Sequence, residues 1–157
     1  MKPHPLEEFI TPRRAERMRT ALDRRTDRFA LVLDSVHDPH NISAVLRSCD
    51  AFGLQDVHVV TQNAPFKINR EVSMGCDRWL SVHKWHTYAD CRAELKKRRF
   101  RIFVADMDEH AVPIYDLPLD RPLAIVLGNE HSGVGREARE RCDGTVKIPM
   151  HGFVESL

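Results

Sequence analysis

No stretch of this 157-residue chain stays apolar for the ~20 positions a membrane-spanning helix needs, although 42% of it is hydrophobic. The opening segment, Met1-Lys2-Pro3-His4-Pro5-Leu6-Glu7-Glu8, lacks the apolar core of a secretory signal. Both absences point to a cytoplasmic protein. Cys49, Cys76, Cys91 and Cys142 include no C-x-x-C pair, which speaks against a zinc ribbon and gives no disulfide framework. Reduced, mostly buried thiols are expected. His83 and His86 invite a metal reading, but residues 81–86 alternate as a strand does and send the two rings to opposite faces. No metal site is expected.

The common nucleotide signatures are missing as well. A dinucleotide fold places G-x-G-x-x-G directly after its first strand, where this chain has Asp34-Ser35-Val36-His37-Asp38-Pro39. Gly133-Val134-Gly135-Arg136 lacks the Gly-Lys-Ser/Thr of a phosphate-binding loop, and no G-x-S-x-G elbow occurs. Charge of one sign is missing too: 24 basic and 23 acidic residues leave a net charge of +1.

The distribution of charge is more informative. Arg13, Arg14, Arg17, Arg19, Arg24, Arg25 and Arg28 face only Glu16, Asp23 and Asp27 within residues 13–28, a local balance of 7 − 3 = +4. Thr11 as cap and Pro12 in the first turn start a helix there, and Ala15, Met18 and Leu22 make a narrow apolar stripe. A solvated helix docked by three small contacts fits this pattern. So does an RNA-backbone contact, which the consistent choice of arginine over lysine favours through its phosphate-matching fork.

Strand-like runs at 29–34, 56–60, 79–85, 101–106, 123–128 and 145–149 alternate with helical patterns at 11–25, 41–52, 88–98 and 134–142. This predicts one α/β domain with a mostly parallel sheet and helices on both faces. Residues 61–76 and 107–122 read as long loops. After the first strand, Ile42, Val45, Leu46 and Cys49 give a helix its apolar face, and Gly53 ends it. Asn41 at the mouth of that helix and Arg47 nearly two turns inside suit recognition of a hydroxyl or phosphate beyond a strand end. An Asn N-cap and a solvated Arg fit equally well.

Two later segments complete a pattern. Residues 123–135, LAIVLGNEHSGVG, read as a buried strand, a Gly-rich turn and a helix start. Residues 146–157, VKIPMHGFVESL, read as a last strand and a loop. With residues 40–53, HNISAVLRSCDAFG, they resemble, in order and spacing, the three motifs of the SpoU branch of the SPOUT RNA methyltransferases.

The resemblance implies an α/β sheet closed by a deep trefoil knot and a cleft that holds S-adenosylmethionine mostly through backbone. By matching positions, Ala105, Leu127, Gly128, Ile148, Met150 and Leu157 line that cleft. The resemblance is greatest to tRNA 2′-O-methyltransferases acting on guanosine 18 of the D-loop. It assigns tRNA contacts to Arg14, Arg17, Arg25 and Lys96, and catalysis to Arg47 with Asn41, Glu130 and Ser156. Residues 1–28 then form a basic RNA-binding helix and residues 29–157 the methyltransferase domain, acting as a homodimer. A guanidinium gives up its proton only above about pH 12, so Arg47 is expected to steady the developing alkoxide and the adjacent phosphate rather than act as a base. Glu130 alternatively sits as an acid at the mouth of the helix near Val134.

The segment 70–80 departs from the family's small-residue loop. Family members continue past Leu157 with an Asn and a long helix, so a chain ending there is expected to have an incomplete knot and weak cofactor binding. A non-catalytic RNA-binding module, and methylation of another tRNA or rRNA site, stay open as alternatives.

Overall fold

Seven strands run parallel in one sheet in the computed structural model, which describes residues 4–61 and 66–153. They are β1 (Thr26–Asp34), β2 (Leu54–Val60), β3 (Ser81–Trp85), β4 (Arg101–Ala105), β5 (Val112–Pro113), β6 (Leu123–Leu127) and β7 (Gly144–Lys147), in the order β3-β2-β1-β6-β4-β7-β5. Five helices intervene among the described residues: α1 (Pro12–Asp23), α2 (Pro39–Ala51), α3 (Arg70–Ser73), α4 (Tyr88–Lys97) and α5 (Arg136–Arg141). The expected parallel α/β sheet is present.

Alternate residues of each strand supply the two faces. Ala30, Val32, Ile102, Val104, Ala124 and Val126 pack under Tyr88, Cys91 and Leu95 of α4 and Ala138 of α5. On the other face, Leu33, Val57 and Val59 meet Ile42, Leu46 and Cys49 of α2. Over β4 and β6 that same face carries Phe103, Leu123 and Ile125, covered by Leu117. Both faces of the central strands are thus dry, which explains the uninterrupted apolar run of β6.

Three local expectations need correction. Asp38, not Asn41, caps α2: its carboxylate accepts from the His40 amide at 2.8 Å, and Pro39 occupies the first turn. Asn41 lies inside the helix with its side chain free for other work. In α1, Thr11 caps and Pro12 starts the helix as expected, but only Ala15 of the apolar stripe is buried. Met18 and Leu22 are 37% and 51% exposed. The two long loops also contain short elements, α3 in the first and β5 with the 3-10 turn Ile114–Asp116 in the second. Elements this short span about one period at most, so alternation could not reveal them.

Gly53 follows α2 with φ of 75°, and a Cβ there would lie 2.7 Å from the Arg24 carbonyl. Its own carbonyl accepts from the Thr26 amide at 2.9 Å. Only glycine combines that backbone conformation with that close approach, which fastens the end of α2 to the start of β1.

Candidate active site

Parallel strands deliver their following loops to one edge, and the strand order decides which loops meet. Leu33 of β1 is level with Leu127 of β6, Val104 of β4 with Val126, and Ala105 with Val146 of β7. Ala105, Leu127 and Ile148 therefore stand at or just beyond the carboxyl ends of three neighbouring strands. The Asp106 amide donates to the Val146 carbonyl at 3.1 Å, carrying the β4–β7 pairing past the strand end.

The turn after β6 is built on glycine. Asn129 and Gly133 exchange backbone hydrogen bonds of 3.0 and 2.8 Å, and Gly133 has φ of 67°. A Cβ on Gly128 would collide with the Gly133 carbonyl and the Val134 amide. The backbone there is folded back on itself and fills the space a side chain would take, so only glycine fits. The Asn129 carboxamide oxygen accepts from the His131 amide at 2.9 Å, while its nitrogen donates to the Ser35 carbonyl at 3.4 Å.

Sequence reasoning missed two residues that hold this turn. Asp34, 1% exposed at the end of β1, accepts from the Gly135 amide at 2.8 Å. Arg139 of α5 donates to the Val134 carbonyl at 3.0 Å and pairs with Asp106 at 3.0 Å. An acidic residue closing an otherwise apolar strand was a readable signal for Asp34. Arg139 carried none.

Asn41 donates to the Glu130 carboxylate, joining the first turn of α2 to the turn after β6. Glu130 is exposed and precedes the first residue of α5, Arg136, by a whole loop, so it does not sit at that helix's mouth. Arg47 is exposed on α2, about 9 Å along the axis from Asn41 and a third of a turn round it. No hydrogen bond or ion pair ties it to another described residue. Burial first, then Asp50 and Asp77, pushes the Cys76 thiol up, and the positive charge of Arg47 opposes the rise.

Ile148 is 44% exposed and Met150 half-buried past the end of β7, with β4 between them and Leu127 of β6. Ser156 and Leu157 lie outside the described residues. Burial pushes the Cys49 and Cys91 thiols up to about 12, so neither offers a thiolate near neutral pH.

The four expected RNA contacts divide. Arg14 and Arg17 are exposed on α1, with no acidic partner among the described residues. Arg25 pairs with Asp50 and donates to the Leu54 carbonyl at 3.0 Å, leaving its side chain only 11% exposed. Lys96 bonds Asp143 at 2.5 Å and the Phe100 carbonyl at 3.4 Å, at the amino ends of the strands.

The family of SpoU rRNA methylases matches residues 28–157. The tRNA (guanosine(18)-2′-O)-methyltransferase of Thermus thermophilus is 34% identical over 147 residues, covering 94% of this chain and 76% of its own. The crystal structure of the Aquifex aeolicus TrmH/SpoU tRNA modifying enzyme superposes with a TM-score of 0.80 at 30% identity, covering 92% of this chain and 74% of that one. The SpoU methyltransferase AviRb of Streptomyces viridochromogenes, in complex with the cofactor AdoMet, gives a TM-score of 0.69 at 26% identity over 87% of this chain and 55% of that one. With its parallel sheet, its glycine-built turn and these matches together, the chain belongs to the SpoU methylase family.

Proposed function

We propose that this chain transfers a methyl group from S-adenosylmethionine to a ribose 2′-hydroxyl of tRNA, at guanosine 18 of the D-loop. The observation that carries the reading is the half-buried glycine turn at Gly128, on the same edge of the sheet as the apolar strand-end residues Leu127, Ala105 and Ile148. A flat adenine face suits those walls, backbone amides suit its ring nitrogens, and backbone carbonyls suit its exocyclic amine. The groups present therefore fit the cofactor named in the AviRb complex. When bound, S-adenosylmethionine supplies a methyl already activated on sulfonium.

The chain's own residues have two tasks. The first is placement. Holding the ribose oxygen in line with the methyl contributes roughly 7–11 kcal/mol of the barrier. The bond between Asn41 and Glu130 joins α2, which bears Arg47, to the turn that holds the cofactor. The second is electrostatic. Arg47, exposed and unpaired among the described residues, brings a permanent positive charge and two parallel donors to the developing alkoxide and its neighbouring phosphate. The phosphate accepts the hydroxyl proton, since guanidinium holds its own.

Two copies of the chain acting together belong to this reading, and light scattering tests that part. Incubation of the chain with unmodified tRNA transcript and labelled cofactor, followed by mapping of the methylated nucleotide, tests the rest. A 2′-O-methyl at guanosine 18 that disappears with Arg47→Ala is expected. Methyl at another nucleotide, or equal turnover by Arg47→Ala, overturns it.

A further inference from the structure

An indole and a row of arginines share one groove between α1 and the end of α2, at the amino ends of the strands. The groove has a volume of about 550 Å3 and is lined by Arg13, Arg14, Arg17, Met18, Leu22 and Trp79. Trp79 is 51% exposed. It ends a 3-10 turn, Cys76–Trp79, and the buried Cys76 and Leu80 on either side of it anchor that turn. The Trp79 carbonyl accepts from Gln55 at 3.2 Å, so the backbone is held while the ring stays outside. Arg25 neutralises Asp50, the only acidic residue among the described residues lining the groove. Arg13, Arg14 and Arg17 have no acidic partner among the described residues.

We infer that this groove holds an unpaired stretch of RNA, with one base stacked on Trp79 and the flanking phosphates on the α1 arginines. The inference deepens the reading of the chain as a tRNA methyltransferase and rests on it for the identity of the RNA. Charge complementarity selects the occupant: fixed positive charge beside an exposed aromatic face suits single-stranded nucleic acid, because every base has a face to stack. A second protein copy would leave three arginines facing an apolar patch without counter-charge. The groove also approaches Arg47 from the amino side of the sheet. Asp50, on its wall, lies one turn of α2 beyond Arg47, about 4.5 Å along the axis. Trp79 is thus a positioning residue that sets the path of the strand toward Arg47.

The test uses a seven-nucleotide oligoadenylate and an abasic oligomer of the same length and charge. Trp79 and Trp85 are the two tryptophans, so Trp85→Phe leaves Trp79 as the sole indole reporter. Oligoadenylate is expected to quench that emission and the abasic oligomer to leave it nearly unchanged. By filter retention, which needs no reporter variant, Trp79→Ala weakens oligoadenylate binding on the order of ten-fold and Trp79→Phe restores most of it. On tRNA transcript, Trp79→Ala raises KM with kcat kept. Equal binding by Trp79→Ala and the parent, equal quenching by the abasic oligomer, or burial of Trp79 through self-association without RNA each overturns the inference. Oligoadenylate binding is read without methyl transfer, so a chain that stacks RNA but methylates nothing overturns the proposed function and leaves this groove standing.

Discussion

The carboxylate of Asp34, buried at the end of β1, accepts the Gly135 amide at 2.8 Å across 101 positions of sequence. A Cβ on Gly135 would sit 2.8 Å from the same oxygen, so the two residues are matched in size as well as polarity. Asp34→Ala orphans a part-buried amide and Gly135→Ala pushes the carboxylate away. Each is expected to lower unfolding free energy by about 1–3 kcal/mol. Asp34→Asn, which keeps an acceptor, falls between them and the parent. Urea denaturation of the four proteins checks the order.

Gly128→Ala separates the cradle from the rest of the fold. Its Cβ has no room against the Gly133 carbonyl and Val134 amide, so the turn must reopen. Cofactor binding by calorimetry is expected to weaken at least ten-fold. The circular dichroism of the sheet is retained, because β6 and its neighbours keep their packing. Unchanged affinity excludes this turn as the cofactor's seat.

Asn41 and Glu130 meet at the surface, so their bond adds little to stability. Asn41→Ala and Glu130→Ala are each expected to shift unfolding free energy by less than about 0.5 kcal/mol. Methyl transfer should nevertheless fall by an order of magnitude. Glu130→Gln keeps an acceptor for the Asn41 amide and retains most turnover. Equal loss in Glu130→Gln and Glu130→Ala indicates that the charge, rather than the bond, is what matters.

The arginines predict opposite phenotypes. Arg25→Ala removes the partner of Asp50 and the donor to Leu54, and should destabilise the chain by about 1–3 kcal/mol. Arg14→Ala and Arg17→Ala leave stability unchanged and weaken tRNA binding. The slope of log affinity against log salt should become shallower by about 0.7–0.9 for each phosphate no longer neutralised. Filter binding at several salt concentrations, beside thermal melts, distinguishes the two classes.

His58 makes stability depend on acidity. Its ring is buried, stacks on His83 with centroids 4.7 Å apart, and accepts from the Trp85 indole at 2.9 Å. Burial first, then the nearby His83, lowers its pKa to about 4, with Asp56 opposing and Arg98 adding to the fall. The unfolded chain, with an ordinary histidine near 6.5, binds the proton more readily through that interval. Unfolding free energy should therefore decline as pH falls from about 6.5 toward 4, by up to roughly 3 kcal/mol. His58→Leu is expected to flatten the decline; an unchanged slope assigns it to another group.

The local elements of the candidate site were legible because each motif is short and continuous. The run 123–127 is apolar throughout, and the glycines after it mark a turn that L side chains resist, so strand and cradle could be read without a partner. The cap of α2 was misread because Asp38 and Asn41 are both capping types, and only the proline between them settles the choice. Met18 and Leu22 have the spacing of a buried stripe and yet line an open groove, since periodicity says which side chains share a face but not what that face meets.

Pattern along the chain was enough for a parallel α/β sheet, an arginine-rich first helix and a glycine turn after a buried strand, since these follow from side-chain spacing and backbone freedom within a dozen residues. Hydrogen bonds across 89 and 101 positions decided that Asn41 meets Glu130 and that Asp34 secures Gly135. The same long-range packing engaged Arg25 internally, left Arg47 open and set Trp79 beside the arginines of α1. The reason is physical: strand order and crossover path determine which distant loops adjoin, and a charged side chain takes whichever partner that arrangement brings within reach.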